Sequence, residues 1–572
     1  MEEGALDSGI RRNEGVGVAS GALLGAVVGG SLTEGVEVRL AEGASVEDIP
    51  VGSYVVIQGE RRRFFGMVSE VRLASTDARL RSAPGGFTDP LVTRALSGTA
   101  AYGTITVRPR LTLPAVAGVE GDIAPARTVP SHFSRATRAT DADVAQVFGA
   151  EGGGNFAVGT PLDMDAVVCL DLKTMLQRSN GVFGKSGTGK SFLTRLLLIG
   201  VLQSRLSALL IFDMHNEYGW EGGDVERGRR VKSLKQLFPS EVSVFALDEQ
   251  RARGAKIQPD FTVEIGYDEI TPEDVMALRE TLGVSDAAAE AAFALGRKFG
   301  DRRWLREFLR LEGSDEIGEL ANAINVNGAA LATLHRRLTN RIARLPFLSD
   351  AVGADAVAAI MDHLDRGKHV VLEFGRYGDD VIAYMLVANL LTRRIHDRYR
   401  ERQSADAGEG RATTPLTIVI EEAHRFLSPA VAAQSPFGVI AREMRKNNVT
   451  LLVVDQRPSA IDAEVLSQVG TKVCCLLDDE RDVDAVMAGA SGSRELRTVL
   501  AGLRSRQQAL FFGEAVPIPV AVQVRDYGTD TSYDALIRRR PRREAATVRA
   551  EGNRGADAPP ASEDEDHDPL FG

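Results

Sequence analysis

Two short stretches carry residue types that could act together chemically. In "GVFGKSGTGKSF", residues 181–192, Gly184 is followed after four residues by Gly189, Lys190 and Ser191. That is the spacing of a phosphate loop, in which glycines let backbone N–H groups close on phosphate oxygens, the lysine supplies a point positive charge and the hydroxyl is offered to Mg²⁺. Gly184, Lys185, Ser186, Gly187, Thr188, Gly189, Lys190 and Ser191 are therefore the candidate nucleotide-binding segment, with ATP and Mg²⁺ as the implied cofactors. "TIVIEEAHRF", residues 417–426, places Glu421 and Glu422 directly after a β-branched apolar run. Adjacent carboxylates at a strand end repel each other and lose hydration unless a cation or a positioned water lies between them. Taken alone the pair also fits the start of a solvated helix. Beside a nucleotide it divides into Glu421 toward Mg²⁺, with Ser191, and Glu422 toward the attacking water as general base. "VTLLVVDQ" ends at Gln456, whose amide can sense a γ-phosphate from a neighbouring strand tip. Between these strands "AREMRKNN" gathers Arg442, Arg445 and Lys446, either beside the site or a subunit boundary, or as a solvated basic face.

The elements that must position these groups follow from pattern. Thr417 to Ile420 reads as a strand buried on both faces, which belongs to a parallel sheet covered by helices, and such sheets bind ligands at the carboxyl ends of their strands. "FLTRLLLIGVLQ", after the phosphate loop, reads as a helix with its N-terminus at the anion. The fold class is α/β: a RecA-like P-loop ATPase core with a helical insertion and an N-terminal small β-barrel. The barrel reading rests on "GVEVRL", "GSYVVIQG", "FFGMVSEVRL" and "GTITVRPRLTL", short apolar or alternating runs separated by turns. The insertion rests on "AAAEAAFALGRKF" and "LATLHRRLTNRIARL", both at helical spacing. The expected division is a flexible lead-in over 1–31, the barrel over 32–125, the first part of the ATPase core over 126–266, the insertion over 267–348, the second part over 349–530 and a disordered tail over 531–572.

With 572 residues the chain exceeds what one hydrophobic core serves. Its three cysteines, Cys169, Cys474 and Cys475, form neither a disulfide framework nor a zinc pattern, which favours a reducing cytoplasm. The net charge of −11 argues against a wholly basic nucleic-acid coat, but residues 544–572 alone hold eight acids and two bases. The rest is nearer neutral and leaves room for basic patches, of which "VERGRRVKSLK", residues 225–235, is a candidate pore loop or an ordinary exposed loop. "GVGVASGALLGAVVGG", residues 15–30, is too short and glycine-rich to span a membrane, so no membrane association is expected. The tail "SEDEDHDPLFG" resembles acidic tips with which bacterial single-strand binding proteins dock partners, or is a solubilising tail.

In order, "FGKSGTGKS", "LIFDMHNEYG", "IVIEEAHRF", "REMRKNN" and "VVDQRPSAID" resemble the HerA family of hexameric ATPases, in the HerA/FtsK branch of P-loop motors, and the barrel strands resemble that family's barrel. The resemblance implies a homo-oligomeric, hexameric ring around duplex DNA, ATP-driven translocation, and a NurA-type nuclease or another effector enzyme as partner. It implies Lys190 and Ser191 as phosphate and metal contacts, Glu421 and Glu422 as the strand acids, Gln456 as sensor, and Arg445 as a finger reaching a neighbour's nucleotide. Met444 stands where the family usually has glycine. Asp213 and Glu217 match a family segment without an assigned chemistry. The alternative is a ring scaffold that assembles an effector enzyme in an antiviral defence complex; a conjugation or secretion motor of the same superfamily is disfavoured by the lack of a membrane segment.

Overall fold

Alternation builds the N-terminal barrel. In the strand Gly35–Leu40, Val36 and Val38 point inward and Glu37 outward, and they meet Val27, Val55, Ile57, Val68, Ile105 and Val107 in one buried cluster. The computed structural model describes residues 21–537 apart from 43, 77–95, 97–99, 116–121, 225–228, 250–257, 351–353, 407–413, 434, 444–447, 491 and 505–506. Around the barrel the strands run Gly35–Leu40, Leu23–Ser31, Arg135–Arg138, Tyr54–Gln58, Arg63–Ser75 and Ala101–Leu113. The last pairs back onto Gly35–Leu40 and closes the ring.

Two of these strands lie outside the span read from sequence. Leu23–Ser31 falls in the glycine-rich stretch expected to be a flexible lead-in, and Arg135–Arg138 follows residue 125. The glycines serve close approach: a Cβ on Gly25 would fall 1.9 Å from the carbonyl oxygen of Arg39 on the paired strand. The barrel joins the rest through Arg108–Glu495 at 2.6 Å and the Tyr54 hydroxyl donating to the Pro519 carbonyl at 2.9 Å.

The second sheet has twelve strands in the order Phe261–Thr262, Val242–Ala246, His369–Glu373, Ala208–Asp213, Leu416–Glu421, Val449–Asp455, Asn180–Phe183, Thr471–Cys474, Gln508–Gly513, Val520–Val524, Asn155–Pro161 and Val168–Asp171. Pairing is parallel from the first strand through Thr471–Cys474 and antiparallel beyond. The central strands are buried along their whole length, as apolar β-branched runs in a helix-covered parallel sheet must be. Val449–Asp455 lies between the phosphate-loop strand and the glutamate strand, with Asp455 level with Phe183 and Val454 level with Glu421.

A helical insertion leaves this sheet between Ile265–Gly266 and Leu348–Ser349, which pair in parallel. Its helices include Pro272–Ala277, Asp286–Phe299, Trp304–Leu309, Ser314–Ala323 and Gly328–Arg337. Trp304, fully buried, donates its indole N–H to the Ile270 carbonyl at 2.9 Å, and Arg393 of the core helix Val381–Asp406 pairs with the buried Asp274 at 2.7 Å. Thr529 onward forms a separate unit, in which the helix Asp530–Ile537 is described. The tail expected to be disordered over 531–572 begins inside that helix, and its remainder, 538–572, lies outside the described residues.

Candidate active site

The phosphate loop turns between the strand Asn180–Phe183 and the helix Lys190–Ser204. Gly187 and Gly189 have φ of 77° and 93°, the left-handed region where a side chain is strained, and a Cβ on Gly184 would come 2.7 Å from that of Cys475. The loop is anchored by the Gly184 N–H on the Asp455 carbonyl (3.2 Å) and the Lys185 N–H on the Leu476 carbonyl (3.1 Å). The Lys185 carbonyl accepts from both the Thr188 hydroxyl (2.7 Å) and the Lys190 ammonium (2.9 Å). Burial lowers the Lys190 pKa, against the pull of Cys475, Glu422, Asp455 and Glu421. A half-dehydrated ammonium of this kind gains most from an anion delivered to it.

The loop forms one wall of a cavity of about 500 Å³ whose lining includes Ser186, Gly187, Thr188, Gly189, Lys190, Ser191, Glu421, Glu422 and Gln456. Nine of the candidate residues read from sequence thus line one cavity. Gly184 and Lys185 lie at the loop's root, with the Lys185 ammonium paired outward to Asp478 at 2.7 Å. Arg445 and Lys446 fall outside the described residues; Arg442, which is described, pairs with Glu464 at 3.6 Å and donates to the Ala432 carbonyl at 3.2 Å.

The two glutamates have different surroundings. Glu421 is the last residue of its strand and is buried. Its Oε1 accepts from the Tyr218 hydroxyl at 2.9 Å, while Oε2 is buried without a hydrogen-bond partner. Burial, with Asp213 and Glu217 nearby, pushes its pKa up to about 8. A carboxyl group in that state is short of positive charge, and its orphaned oxygen is the fit that a cation requires. Glu421 together with the Ser191 hydroxyl therefore suits Mg²⁺, which is commonly held by one or two protein groups plus substrate phosphates. Glu422 leaves the strand in the left-handed region at φ 49°. Its Oε1 accepts from the Gln456 amide at 2.7 Å.

Several further residues were missed by sequence reasoning. Arg195, five residues after Lys190, is buried in the cavity wall with its guanidinium 3.5 Å from a Glu217 oxygen. Gln507, Arg525 and Tyr527 line the cavity from the sheet's antiparallel side, and Tyr527 meets Phe192 edge-on at 6.0 Å. Asp213, whose chemistry was open, accepts N–H bonds from Glu217 (2.7 Å), Tyr218 (2.8 Å) and Gly219 (3.1 Å), so it shapes the turn that presents Tyr218 to Glu421.

A family model described as the central domain of helicase HerA matches residues 156–395, and one described as the HAS barrel domain matches 24–105. The chain is thus similar to HerA-type P-loop ATPases in both its barrel and its core. The matched family model and the helicase relatives support its being an ATP hydrolase. The DNA double-strand break repair helicase HerA of Pyrococcus furiosus is 24% identical over 427 residues, 72% of this chain and 76% of that one. The helicase of the same name from Saccharolobus solfataricus is 24% identical over 409 residues, 68% and 72% of the two chains. Among solved structures, VirB4 of Thermoanaerobacter pseudethanolicus aligns with 67% of this chain and 99% of that one, at 14% identity and a TM-score of 0.42. The plasmid coupling protein TrwB in complex with ADP and Mg²⁺ aligns over 68% and 98%, at 13% identity and a TM-score of 0.43. No helix among the described residues is long and apolar enough to cross a membrane.

Proposed function

We propose that this HerA-like ATPase is a motor that moves along duplex DNA as a hexameric ring and assists a partner nuclease in processing DNA ends. The observation that carries the chemistry is the convergence of Lys190, Ser191, Glu421, Glu422 and Gln456 on one cavity at the carboxyl edge of a parallel sheet. In this reading the loop's N–H groups and Lys190 hold the phosphates of ATP. Ser191 and Glu421 hold Mg²⁺, which supplies charge neutralisation on the phosphate oxygens. Glu422 takes the proton of the attacking water, and Gln456 holds Glu422 in place until its amide is drawn toward the γ-phosphate. Arg445 completes a neighbouring subunit's site.

The DNA part is supported by the names of the relatives and by one connection in the structure. The antiparallel hairpin Gly222–Asp224 and Arg229–Val231 carries the exposed Arg230. Its feet are fastened to the site: the Tyr218 and Gly219 carbonyls accept from the Leu234 and Lys235 N–H groups at 3.0 and 3.2 Å, and the Tyr527 hydroxyl donates to the Lys232 carbonyl at 2.6 Å. A basic hairpin so attached supports phosphate contacts that follow the nucleotide state. The test is the ATPase rate of the purified full chain with and without linear duplex DNA across a salt series. Stimulation that fades steeply with salt is expected; an unchanged rate in protein shown to bind the duplex would remove the motor and leave the ATPase.

A further inference from the structure

His424 stands three residues beyond Glu421 in "EEAHRF", and the chemistry above gives it no task. It opens the short helix His424–Leu427, and its position is fixed twice by one carboxylate. Oδ2 of Asp455 accepts the His424 backbone N–H at 2.7 Å and lies 3.0 Å from the ring Nδ1. Oδ1 of Asp455 accepts the Arg457 N–H at 2.6 Å. With Nδ1 facing a fully buried carboxylate, that nitrogen carries the hydrogen, because a bare lone pair there would face a negative oxygen. The same Nδ1 is 3.7 Å from Oε2 of Glu422. Glu422 is thus bracketed, by the Gln456 amide on Oε1 and the His424 ring beside Oε2.

We propose that His424 is a positioning residue for the hydrolytic step, anchored on Asp455 so that its ring lies beside Oε2 of Glu422 while the Gln456 amide holds Oε1. The inference rests on the reading of Glu422 as general base. Such a bracket matters because Glu422 leaves its strand in a left-handed turn, where the sheet no longer fixes its side chain. When the Gln456 amide turns to a phosphate, the His424 ring is still beside Oε2. The charged groups facing the ring are Asp455 from the adjacent strand, Glu422 from the glutamate strand and Arg425 from its own helix. The hydrogen bond to Asp455 is the main cause that raises the His424 pKa above 6.5, with burial opposing it. The ring is therefore cationic below that raised value and loses its charge as pH rises through it. Turnover that uses this charge is full on the acid side and declines on the alkaline side.

The test uses the full chain with His424→Ala and His424→Asn, since an asparagine amide can donate from nearly the position of Nδ1 but does not titrate. Binding of a non-hydrolysed ATP analogue is measured first, with Mg²⁺ present, and the steady-state rate is then followed from pH 5.5 to 9, a span chosen on the basis of the ordinary histidine range. His424→Ala, which removes the hydrogen bond to the Asp455 carboxylate that sets the ring beside Glu422, should lower kcat by about 10- to 100-fold, the scale of one hydrogen bond to a charged group. Analogue affinity should stay within about threefold. His424→Asn should recover much of kcat and lose the alkaline decline. Equal kcat in wild type and His424→Ala, or the same alkaline decline in His424→Asn, overturns the proposal. Glu422→Gln serves as the reference: if it hydrolyses normally, the base assignment fails first, whereas a dead Glu422→Gln beside normal His424 variants refutes the His424 role alone.

Discussion

At the scale of single residues, the site separates binding from turnover. Lys190→Ala removes a cation already half-stripped of water and should abolish tight nucleotide binding, read by titration with a fluorescent ATP analogue. Glu422→Gln keeps the size and the contact to Gln456 but cannot take a proton. Binding should survive while the rate falls by about 10²- to 10⁴-fold, the usual contribution of a general base. Glu421→Gln removes only the charge that its buried Oε2 would present to Mg²⁺, so the half-saturating Mg²⁺ concentration should rise, and a Mg²⁺ dependence identical to wild type would return Glu421 to a structural role. These residues were legible in the sequence because each belongs to a contiguous motif whose chemistry is local. Tyr218 was inside a quoted motif yet unread, since its meaning is a hydrogen bond to a residue 203 positions away. His424 was hidden for a similar reason: what defines it is Asp455, 31 positions on and one strand over.

At the scale of elements, the strand order explains why three separate stretches make one site. The phosphate-loop strand and the glutamate strand both flank Val449–Asp455, so their tips come together although 231 residues separate Lys190 from Glu421 in sequence. Buried apolar runs made the strands legible, but a run does not announce its neighbours. The glycine-rich segment Leu23–Ser31 misled for the opposite reason. Glycine reads locally as a breaker, while here it admits a neighbouring backbone that any Cβ would strike. The turn 213–219 is the element that carries Tyr218, and it can be tested by itself. Tyr218→Phe leaves Oε1 of Glu421 without its donor while keeping the ring packed. It should destabilise the fold by about 1–3 kcal/mol, the cost of orphaning a buried acceptor. Denaturant unfolding without nucleotide measures this, and the loss should shrink when saturating Mg²⁺ and analogue are added. An unaltered midpoint would mean that the hydroxyl is idle.

At the scale of the whole molecule, the decisive question is whether one subunit finishes another's site. A finger arginine contributes about 10³- to 10⁵-fold where it operates, so Arg445→Ala should bind nucleotide normally and turn over almost not at all. Mixing it with Glu422→Gln subunits restores some interfaces that join an intact base to an intact arginine, and partial recovery of activity is expected in mixed rings verified by differential tags. Silent mixed rings would place the arginine in its own subunit or transfer the role to Arg442 or Arg457. The insertion has a different kind of consequence. Its two ends, Ile265–Gly266 and Leu348–Ser349, lie side by side as paired strands, so the chain leaves the sheet and returns at one point. Whatever lies between is a detachable module whose length the sheet does not sense, because closing a longer loop costs only slowly more. Changes in its length are therefore expected to leave ATP hydrolysis in place, as the ATPase rate of a shortened variant would show. An engineer who replaces it with a short turn must allow for Arg393, which would lose Asp274, and for Arg394, which would lose Glu269 and keep Asp355.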